Sequence, residues 1–459
     1  MKVLGIYVYE SFFSNRFKDY PIFSFQNIAI GFTAILNEIQ RQNNDLDTIA
    51  CSLNANIEDV LKDYDIKQYD LACFTTITSQ VFYTYKFAKE LKKLNKNIKI
   101  IVGGPHATID PEDVANHREI DGIAIGEGIE SIKLYLKYLK KEISVNQVDG
   151  YWIREGNKVI KNKRIEFISF EKWPAVDMSI WDKWVFDKTR HSVIISRGCV
   201  NRCSYCSNNK TKLGNVGTYI SFRKVEDIVK ELLLLIEKYE HVKYVELESE
   251  SVSINLNFTY ELFDALEKLN NSLTNKLFFE INVHLTSLLL KNMTKFIDAL
   301  KRANVKLVSI GFESGSYRIR KQILHRPEYT NKDFITFCKA LMEKDISVSV
   351  FVLLGLPTET EYNLKQTISV LNKIKPTEIK QSIFYPYPNT DLYDLMVKMK
   401  LIKSKQILKV YPERRSTCVE YPNLSRETIQ KYYNKLENMA KNTKFAVLSK
   451  MLLNKIDKS

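Results

Sequence analysis

Residues 197–207 read Arg197-Gly-Cys199-Val-Asn-Arg-Cys203-Ser-Tyr205-Cys206-Ser207, and their three cysteines have a C-x3-C-x2-C spacing. This segment follows a short apolar run that predicts a strand at 193–196. Thiolates are soft ligands that select zinc or iron–sulfur clusters. A structural zinc site is normally closed by four ligands, and no fourth cysteine lies nearby in sequence. The spacing therefore predicts a metal centre with one open coordination position.

Alternating strand and helix patterns continue after this loop. The predicted strands are 193–196, 244–247, 277–283, 307–312, 347–353 and 378–384. The predicted helices between them are 225–239, 260–269, 288–302, 319–324, 331–344 and 361–373. Six strands with intervening helices predict an incomplete (β/α)6 barrel.

The N-terminal part of the chain shows a separate α/β pattern. Strands are predicted at 3–9, 71–76, 98–102 and 122–125, and helices at 28–42, 80–94 and 129–141. Glycine-containing turns follow two of these strands, at 103–105 and 126–128. This arrangement predicts a doubly wound parallel sheet, whose ligands bind beyond the carboxyl ends of the strands.

These patterns divide the chain into four predicted regions. Residues 1–145 form the doubly wound domain, and residues 189–400 form the barrel. Between them, residues 146–188 contain a hairpin with its turn at Gly156-Asn157, followed by a tryptophan-rich connector. Residues 401–459 are predicted to be helical and basic.

Composition excludes several classes of protein. The 459 residues are 45% hydrophobic, which is enough to form large cores and excludes a disordered chain. No apolar run approaches the roughly 20 residues that span a bilayer, and the N-terminus is predicted to be a strand rather than a signal peptide. Seven cysteines spread over a long chain do not indicate a disulfide framework, so we expect a cytoplasmic protein.

The positive charge is concentrated at the C-terminus. Residues 401–459 contain 13 Lys/Arg and 5 Asp/Glu, so 13 − 5 = +8 of the net +14 lies there. Such a segment could contact nucleic acid or an anionic or carrier-bound substrate. Its lysines alternate with apolar residues at helical spacing, which a solvated amphipathic helix also explains, and we do not expect nucleic-acid binding.

The cysteine segment resembles the cluster motif of the radical S-adenosylmethionine (SAM) enzymes. The resemblance implies that Cys199, Cys203 and Cys206 hold a [4Fe–4S] cluster whose fourth iron is chelated by SAM. It further implies reductive cleavage of SAM to a 5′-deoxyadenosyl radical, with an electron donor such as flavodoxin or ferredoxin. Tyr205 matches the aromatic residue that the family places near the adenine.

Later segments resemble the SAM-binding strands of this family in the same order. Residues 310–316, Ile-Gly-Phe-Glu-Ser-Gly-Ser, resemble the fourth-strand segment. This implies that Glu313 and Ser314 contact the ribose. Arg326 is implied to pair with the SAM carboxylate, with Arg320 and His325 as alternatives.

Three further segments complete the resemblance over residues 192–395. Residues 354–360, Leu-Gly-Leu-Pro-Thr-Glu-Thr, resemble the fifth-strand segment, which implies that Gly355 lines the adenine pocket. Residues 386–390 resemble the exit of the sixth strand. Glu248 and Glu250 are a looser match to the acids that bind the SAM amino group, and a solvated strand end is the alternative.

The N-terminal domain resembles the cobalamin-binding domains of one radical SAM subclass. The implied cofactor contacts follow three predicted strands: Thr75, Ser79, Gly103, Gly104, Pro105, His106, Gly126, Glu127 and Gly128. Small residues there would let the corrin and its nucleotide tail approach the backbone. The early segment 10–31 contains no His, so cobalt is not expected to be ligated from below by histidine. A degenerate domain without cofactor is the alternative.

Together these features predict a cobalamin-dependent radical SAM enzyme. The activity that the resemblance implies first is methylation of an unactivated carbon of a small-molecule or peptide substrate. An oxidation, rearrangement or cyclisation without methyl transfer is the alternative, and a non-catalytic cobalamin or redox sensor is the other. Methylthiotransferases use three N-terminal cysteines for a second cluster, whereas only Cys51 and Cys73 are present here.

Overall fold

The structure is a computed structural model that describes residues 1–9, 22–208, 217–404, 414–417 and 419–441. It divides into two compact units. The first comprises Met1–Arg197 and Ser207–Val242, and the second comprises Gly198–Cys206 and Lys243–Ser459. The cysteine loop thus belongs to the second unit. The domain boundaries taken from the sequence stay predictions.

The first unit contains a seven-stranded sheet in the order β3-β1-β4-β5-β6-β7-β8. Its strands are β1 Lys2–Tyr9, β3 Asp45–Ser52, β4 Leu71–Thr75, β5 Lys99–Gly103, β6 Gly122–Ala124, β7 Tyr151–Glu155 and β8 Lys158–Lys161. The first five pair in parallel, and the predicted hairpin adds β7 and β8 antiparallel to the edge. The prediction of a doubly wound sheet is confirmed.

Short strands and helices complete the first unit. The remaining strands are β2 Ile22–Ser24, β9 Val185–Asp187, β10 Arg190–Ile194, β11 Ser196–Arg197 and β12 Ser221–Phe222. The helices are α1 Ile30–Arg41, α2 Ile57–Leu61, α3 Val81–Leu94, α4 Pro105–Ile109, α5 Pro111–Ala115, α6 Ile129–Leu139 and α7 Val225–Lys238. Strand β2 pairs in parallel with β9, and β11 pairs antiparallel with β12.

Two apolar cores cover the faces of this sheet. One contains Leu4, Ile6, Phe74 and Val102, and the other contains Val3, Leu71 and Ile101. Successive residues of β1 therefore enter different cores, because side chains alternate across a strand. A parallel sheet buried on both faces gives the near-continuous apolar runs that made these strands readable in the sequence.

Strand β3 was absent from the sequence prediction. It begins with Asp45-Leu-Asp-Thr, whose polar residues hide the pattern, and only Thr48–Cys51 are buried. Its register is set by β1, with Lys2 opposite Asp45 and Tyr9 opposite Ser52. Pairing with a buried neighbour thus outweighs the weak local strand propensity.

The second unit contains five strands that pair in parallel in chain order. They are β13 Tyr244–Glu248, β14 Phe278–Val283, β15 Val305–Glu313, β16 Ser347–Leu354 and β17 Glu378–Ile383. With β10, strands exist at all six predicted barrel positions, although β10 begins and ends before the predicted 193–196. The predicted fold class, a doubly wound domain followed by a partial barrel, is confirmed. Of the predicted helical region 401–459, residues 405–413, 418 and 442–459 lie outside the described residues.

Helices follow each of these strands. They are α8 Leu256–Ser272, α9 Ser287–Lys291, α10 Met293–Arg302, a π-helix Ile319–Ile323, α11 Asn331–Glu343, α12 Glu361–Ile374, α13 Asp391–Lys398 and α14 Arg426–Lys441. The predicted helix 288–302 is two helices, because Asn292 ends α9 and caps α10. Capping boxes at Thr330 and Thr360 set the starts of α11 and α12.

The C-terminal helix α14 packs on β17 and β16. Its buried Ile429 would lie 3.2 Å from a Cβ added to Gly355, and the Tyr432 hydroxyl donates to Glu361 over 3.0 Å. In addition, Ile383 N donates to Arg414 O over 2.6 Å. Within the described residues, no helix is both long enough and apolar enough to cross a bilayer.

Candidate active site

The cysteine loop 198–206 is anchored at its centre. Ser204 donates from its main-chain N to Leu324 O over 3.0 Å and from its hydroxyl to Ile323 O, while Ser204 O accepts from Leu392 N. Cys203 is buried, and Cys199 and Cys206 are partly buried. Burial raises the pKa of the Cys199 and Cys203 thiols, so their ligand form needs the compensating charge of a metal.

The sulfur donors suit an iron–sulfur cluster by their chemistry and by their position on one short loop. In the part of the chain that the structure describes, no three His, Cys, Asp or Glu side chains are already grouped as a metal site. The assignment of Cys199, Cys203 and Cys206 as ligands therefore stays a prediction.

Beside the loop lies a polar cluster of the partly buried Tyr205 and the buried Glu313 and Arg326. The Tyr205 hydroxyl donates to Glu313 Oε1 over 3.0 Å, and one Arg326 terminal nitrogen lies 3.8 Å from the same oxygen. That nitrogen is also 3.3 Å from the Tyr205 hydroxyl and 3.9 Å from Cys203 Sγ. The predicted SAM contacts Tyr205, Glu313 and Arg326 are thus brought together next to a predicted cluster ligand.

The charged groups of this cluster are buried and affect one another. Burial raises the pKa of Glu313, and the Arg326 cation opposes that rise. Arg326 Nε is buried and has no hydrogen-bond partner among the described residues. A buried guanidinium nitrogen left unpaired is costly, and it offers a donor to an anionic ligand.

The backbone around Glu313 is shaped to hold it. Glu313 has φ 64°, and the register between β15 and β16 shifts between Gly311 and Glu313. A Cβ at Gly311 would lie 2.6 Å from an Arg326 terminal nitrogen, and Gly311 O accepts a hydrogen bond from that residue. The left-handed conformation and bulge re-aim Glu313 at the end of its strand, which is common at functional sites.

The two alternatives to Arg326 have other positions. Arg320 is 2% exposed and donates to Ser314 O, Asn331 Oδ1 and Tyr329 O, so its role is structural. His325 is exposed. Ser314 is fully buried and its hydroxyl accepts from Ser316 N over 3.2 Å, and its contact with the ribose stays a prediction.

The end of β13 carries two partly buried carboxyl groups, Glu248 and Glu250. Burial, together with Glu246 and Glu250, raises the pKa of Glu248 to about 8. The charge of Glu250 also contributes to the raised pKa of Cys199. These positions agree with a rim of the site rather than with a freely solvated strand end.

Glu359 is a site residue that the sequence analysis did not single out. Its Oε2 accepts from Gly355 N over 2.8 Å and Leu356 N over 3.2 Å, and its Oε1 has no partner among the described residues. Burial raises its pKa to about 8. Gly355 has φ 71°, so this carboxyl group holds the glycine turn that was predicted to line the adenine pocket.

His284 is the second residue that was missed. It directly follows β14, and its Nδ1 lies 2.9 Å from Asn201 Nδ2 and 4.0 Å from Cys199 Sγ. Burial and the Arg326 cation lower its pKa to about 3. Its place in the sequence, directly after a predicted barrel strand, could have identified His284, because residues at the carboxyl ends of barrel strands usually belong to the site.

In the first unit, the predicted cobalamin residues form a set of linked turns. Gly104 has φ 93°, and a Cβ there would lie 2.6 Å from Thr75 Oγ1 and 2.8 Å from Thr76 N. Thr108 joins this turn to the next, since its hydroxyl donates to Gly104 O and accepts from Gly126 N. Only glycine fits at position 104, which leaves a bare backbone at the carboxyl end of β5.

Among the other predicted contacts, Thr75, Ser79, Gly103, Gly126 and Gly128 are partly exposed, and Pro105 is exposed at the start of α4. The exposed backbone of these turns fits the approach of a flat cofactor and its tail. Residues 10–21, which include most of the early segment without histidine, lie outside the described residues.

His106 and Glu127 have protein partners instead of open faces. The His106 ring is fully buried, with Nδ1 3.1 Å from Thr78 Oγ1 and Nε2 3.1 Å from Asp113 Oδ2. Glu127 accepts from Gly128 N and Ile129 N, which caps α6, and pairs with Arg197 over 2.5 Å. These contacts support the turns, and direct contact of the two side chains with a cofactor stays a prediction.

Comparisons with known proteins agree with both halves of this description. The model of the radical SAM superfamily matches residues 193–371, and the model of the B12-binding domain matches residues 25–134. A relative from Pyrococcus horikoshii, named an uncharacterized methyltransferase, is 25% identical over 380 residues, or 80% of this chain and 78% of its own.

Two solved proteins share the fold. The radical S-adenosylmethionine methyltransferase TsrM from Kitasatospora setae, with cobalamin and a [4Fe–4S] cluster bound, has a TM-score of 0.68 at 12% identity, covering 88% of this chain and 79% of its own. The cobalamin-dependent S-adenosylmethionine radical enzyme OxsB has a TM-score of 0.62 at 15% identity, covering 87% and 55% respectively.

The predicted cofactors, a [4Fe–4S] cluster, SAM and cobalamin, are confirmed at the level of these two domain families. Both domains occur in the predicted order. The chain therefore belongs to the radical SAM enzymes that carry an N-terminal B12-binding domain.

Proposed function

We propose that this protein is a cobalamin-dependent methyltransferase that acts on an unactivated carbon of a small-molecule or peptide substrate. The observation that carries the proposal is the polar cluster of Tyr205, Glu313 and Arg326 beside Cys203. Further support comes from the name of the Pyrococcus relative and from the shared fold of TsrM, which was also solved with a tryptophan substrate and a SAM analogue.

The cysteine loop would hold the cluster through Cys199, Cys203 and Cys206, leaving one iron for SAM. When bound, the cluster and cobalamin supply the electron transfer and the methyl transfer that no amino-acid side chain can perform. Anchoring of the loop at Ser204 fixes the three sulfurs relative to the polar cluster.

The polar cluster would bind SAM. The unpaired Arg326 Nε suits the SAM carboxylate, because a buried guanidinium gains most from an anionic partner. Glu313 would accept from the ribose hydroxyls, and Glu248 and Glu250 would face the amino group. The glycine turn at Gly355, held by Glu359, would pack against the adenine.

The turns of the first unit would bind cobalamin through backbone rather than charge. Gly103, Gly104, Gly126 and Gly128 provide the space, and Thr75 and Ser79 provide hydroxyl groups at the adjacent strand end. His106 offers no open nitrogen, since both ring nitrogens have partners in the protein. We expect cobalamin to bind with its own dimethylbenzimidazole displaced and without an imidazole nitrogen on cobalt, so that the Co(II) electron paramagnetic resonance spectrum shows no splitting by an axial nitrogen. A nitrogen-split spectrum would mean that His106 or the cofactor's own base is bound to cobalt, and would contradict this assignment.

Anaerobic incubation with SAM, reductant and cobalamin tests the proposed reaction class. Release of 5′-deoxyadenosine indicates a radical enzyme, and S-adenosylhomocysteine in addition indicates methyl transfer. If only 5′-deoxyadenosine is released while a candidate substrate is consumed, the reaction is an oxidation, rearrangement or cyclisation and not a methylation. Neither product, in protein with a full iron content, would favour a sensor. A physiological reductase of the flavodoxin or ferredoxin type is the expected electron donor.

A further inference from the structure

His284 is held rigidly at the carboxyl end of β14, within the unit that contains the cysteine loop. Its main-chain N donates to Ser251 Oγ over 2.8 Å, and its carbonyl accepts from Ser253 Oγ over 2.7 Å. The two serine hydroxyls are 2.8 Å apart, and both residues are buried. Both backbone polar groups of His284 are thus fixed by the loop that follows β13.

The His284 ring points towards the cysteine loop. Its Nδ1 lies 2.9 Å from the side-chain nitrogen of Asn201. An amide nitrogen can only donate, so Nδ1 accepts and the ring proton lies on Nε2. Asn201 in turn donates its main-chain N–H to Cys199 Sγ over 3.4 Å. A single residue therefore connects the fixed imidazole to a predicted cluster ligand.

Hydrogen bonds to the sulfurs of an iron–sulfur cluster stabilise its reduced form, because that form carries the greater negative charge. Partners beyond the direct ligands also orient those ligands. From this geometry we propose that His284 is a positioning residue of the cluster: through Asn201 it holds an N–H group on the Cys199 sulfur and raises the reduction potential. The inference rests on the proposed role of Cys199 as a ligand.

The test is the reduction potential of the cluster, followed by electron paramagnetic resonance in anaerobic titrations of the full chain. His284→Leu removes the acceptor at similar size, and we expect a full iron content with a more negative potential. His284→Asn returns an acceptor near the position of Nδ1, and we expect a potential close to that of the wild type. Asn201→Ala should reproduce the shift of His284→Leu. His241→Gln, at an exposed histidine, should change nothing.

The outcomes separate this inference from the assignment of the cluster. The first case is that the wild type holds a cluster, that Cys199→Ala loses it, and that His284→Leu leaves the reduction potential unchanged. The cysteine ligands are then correct, but His284 has no positioning role. If His284→Leu fails to fold, Asn201→Ala alone decides, and an unchanged potential overturns the proposal. A Cys199→Ala protein that retains a normal cluster would overturn both assignments.

Discussion

The cysteine loop and the glycine turns of the first unit are two sites built on opposite principles. Around the loop, the structure places the Arg326 guanidinium 3.9 Å from the Cys203 sulfur and 3.8 Å from the Glu313 carboxyl group. Around Gly104 and Gly126, it places bare backbone, and the side chains His106 and Glu127 are occupied by protein partners. We therefore expect the first site to recognise its ligand by charge and the second by shape.

This difference determines how each site should respond to substitution. A site based on charged groups loses binding when one functional group is removed, even if the volume is kept. A site based on shape tolerates changes of neighbouring polar groups and fails when atoms are added to the turn.

The largest effect is expected at the cluster. Cys203→Ala removes a buried thiol that no neighbouring side chain replaces, so iron, the visible absorbance of the cluster and SAM cleavage should be lost together. Cys338→Ala is the matched control, because Cys338 is fully buried in the core on α11. Loss of iron from both variants would show that general destabilisation, not ligation, is responsible.

The shape of the first unit is tested by Gly104→Val. The new side chain would meet Thr75 and Thr76 and would require φ 93°, so the turn should be displaced and cobalamin retention after desalting should be abolished. Gly31→Ala is the control, since no atom lies within 4 Å of the added Cβ on α1. Cluster content should be normal in both proteins. Full retention of cobalamin by Gly104→Val would place the cofactor elsewhere.

A smaller effect on ligand binding is expected when a substitution removes the charge of a side chain but keeps its shape. Glu313→Gln keeps the volume but removes the carboxylate that faces Tyr205 and Arg326. We expect SAM affinity to fall by about 1 to 3 kcal/mol, as measured by calorimetry on the reconstituted protein. Glu328→Gln, at an exposed position on a surface ion pair, should have no effect. Equal affinities for wild type and Glu313→Gln would make Glu313 a structural residue.

The smallest effect concerns pH. Because the pKa of Glu359 is raised to about 8 from the ordinary value of 4.5, the folded protein holds a proton that the unfolded chain releases. Its contribution to stability is therefore present below about pH 4.5 and is lost as the pH rises towards 8. Glu359→Gln should reduce the fall of the melting temperature across this range. If the melting temperatures of the two proteins fall equally as the pH rises, Glu359 is ionised throughout this range.

The same contrast explains what could be predicted from the sequence. The cysteine spacing, Tyr205, Glu313 and Arg326 could be identified because each is a particular residue type at a particular place in a sequence motif. Strand β3 was missed because its identity depends on pairing with β1. The partners of His106, Glu127 and Ser314 could not be foreseen, since Asp113, Arg197 and Ser316 meet them only in the folded chain. His284 and Glu359 belong to the same class.

The packing of α14 on β17 has a consequence for synthesis of the protein. Strand β17 ends its sheet, and its free edge would present unpaired backbone groups to other chains. The helix and Arg414, which bonds to Ile383, leave the ribosome after the strand they protect. During synthesis, β17 therefore exists for an interval before the segments that contact it are complete. Holding by a chaperone, or slow translation of the segment before α14, would affect the yield of folded protein at that moment.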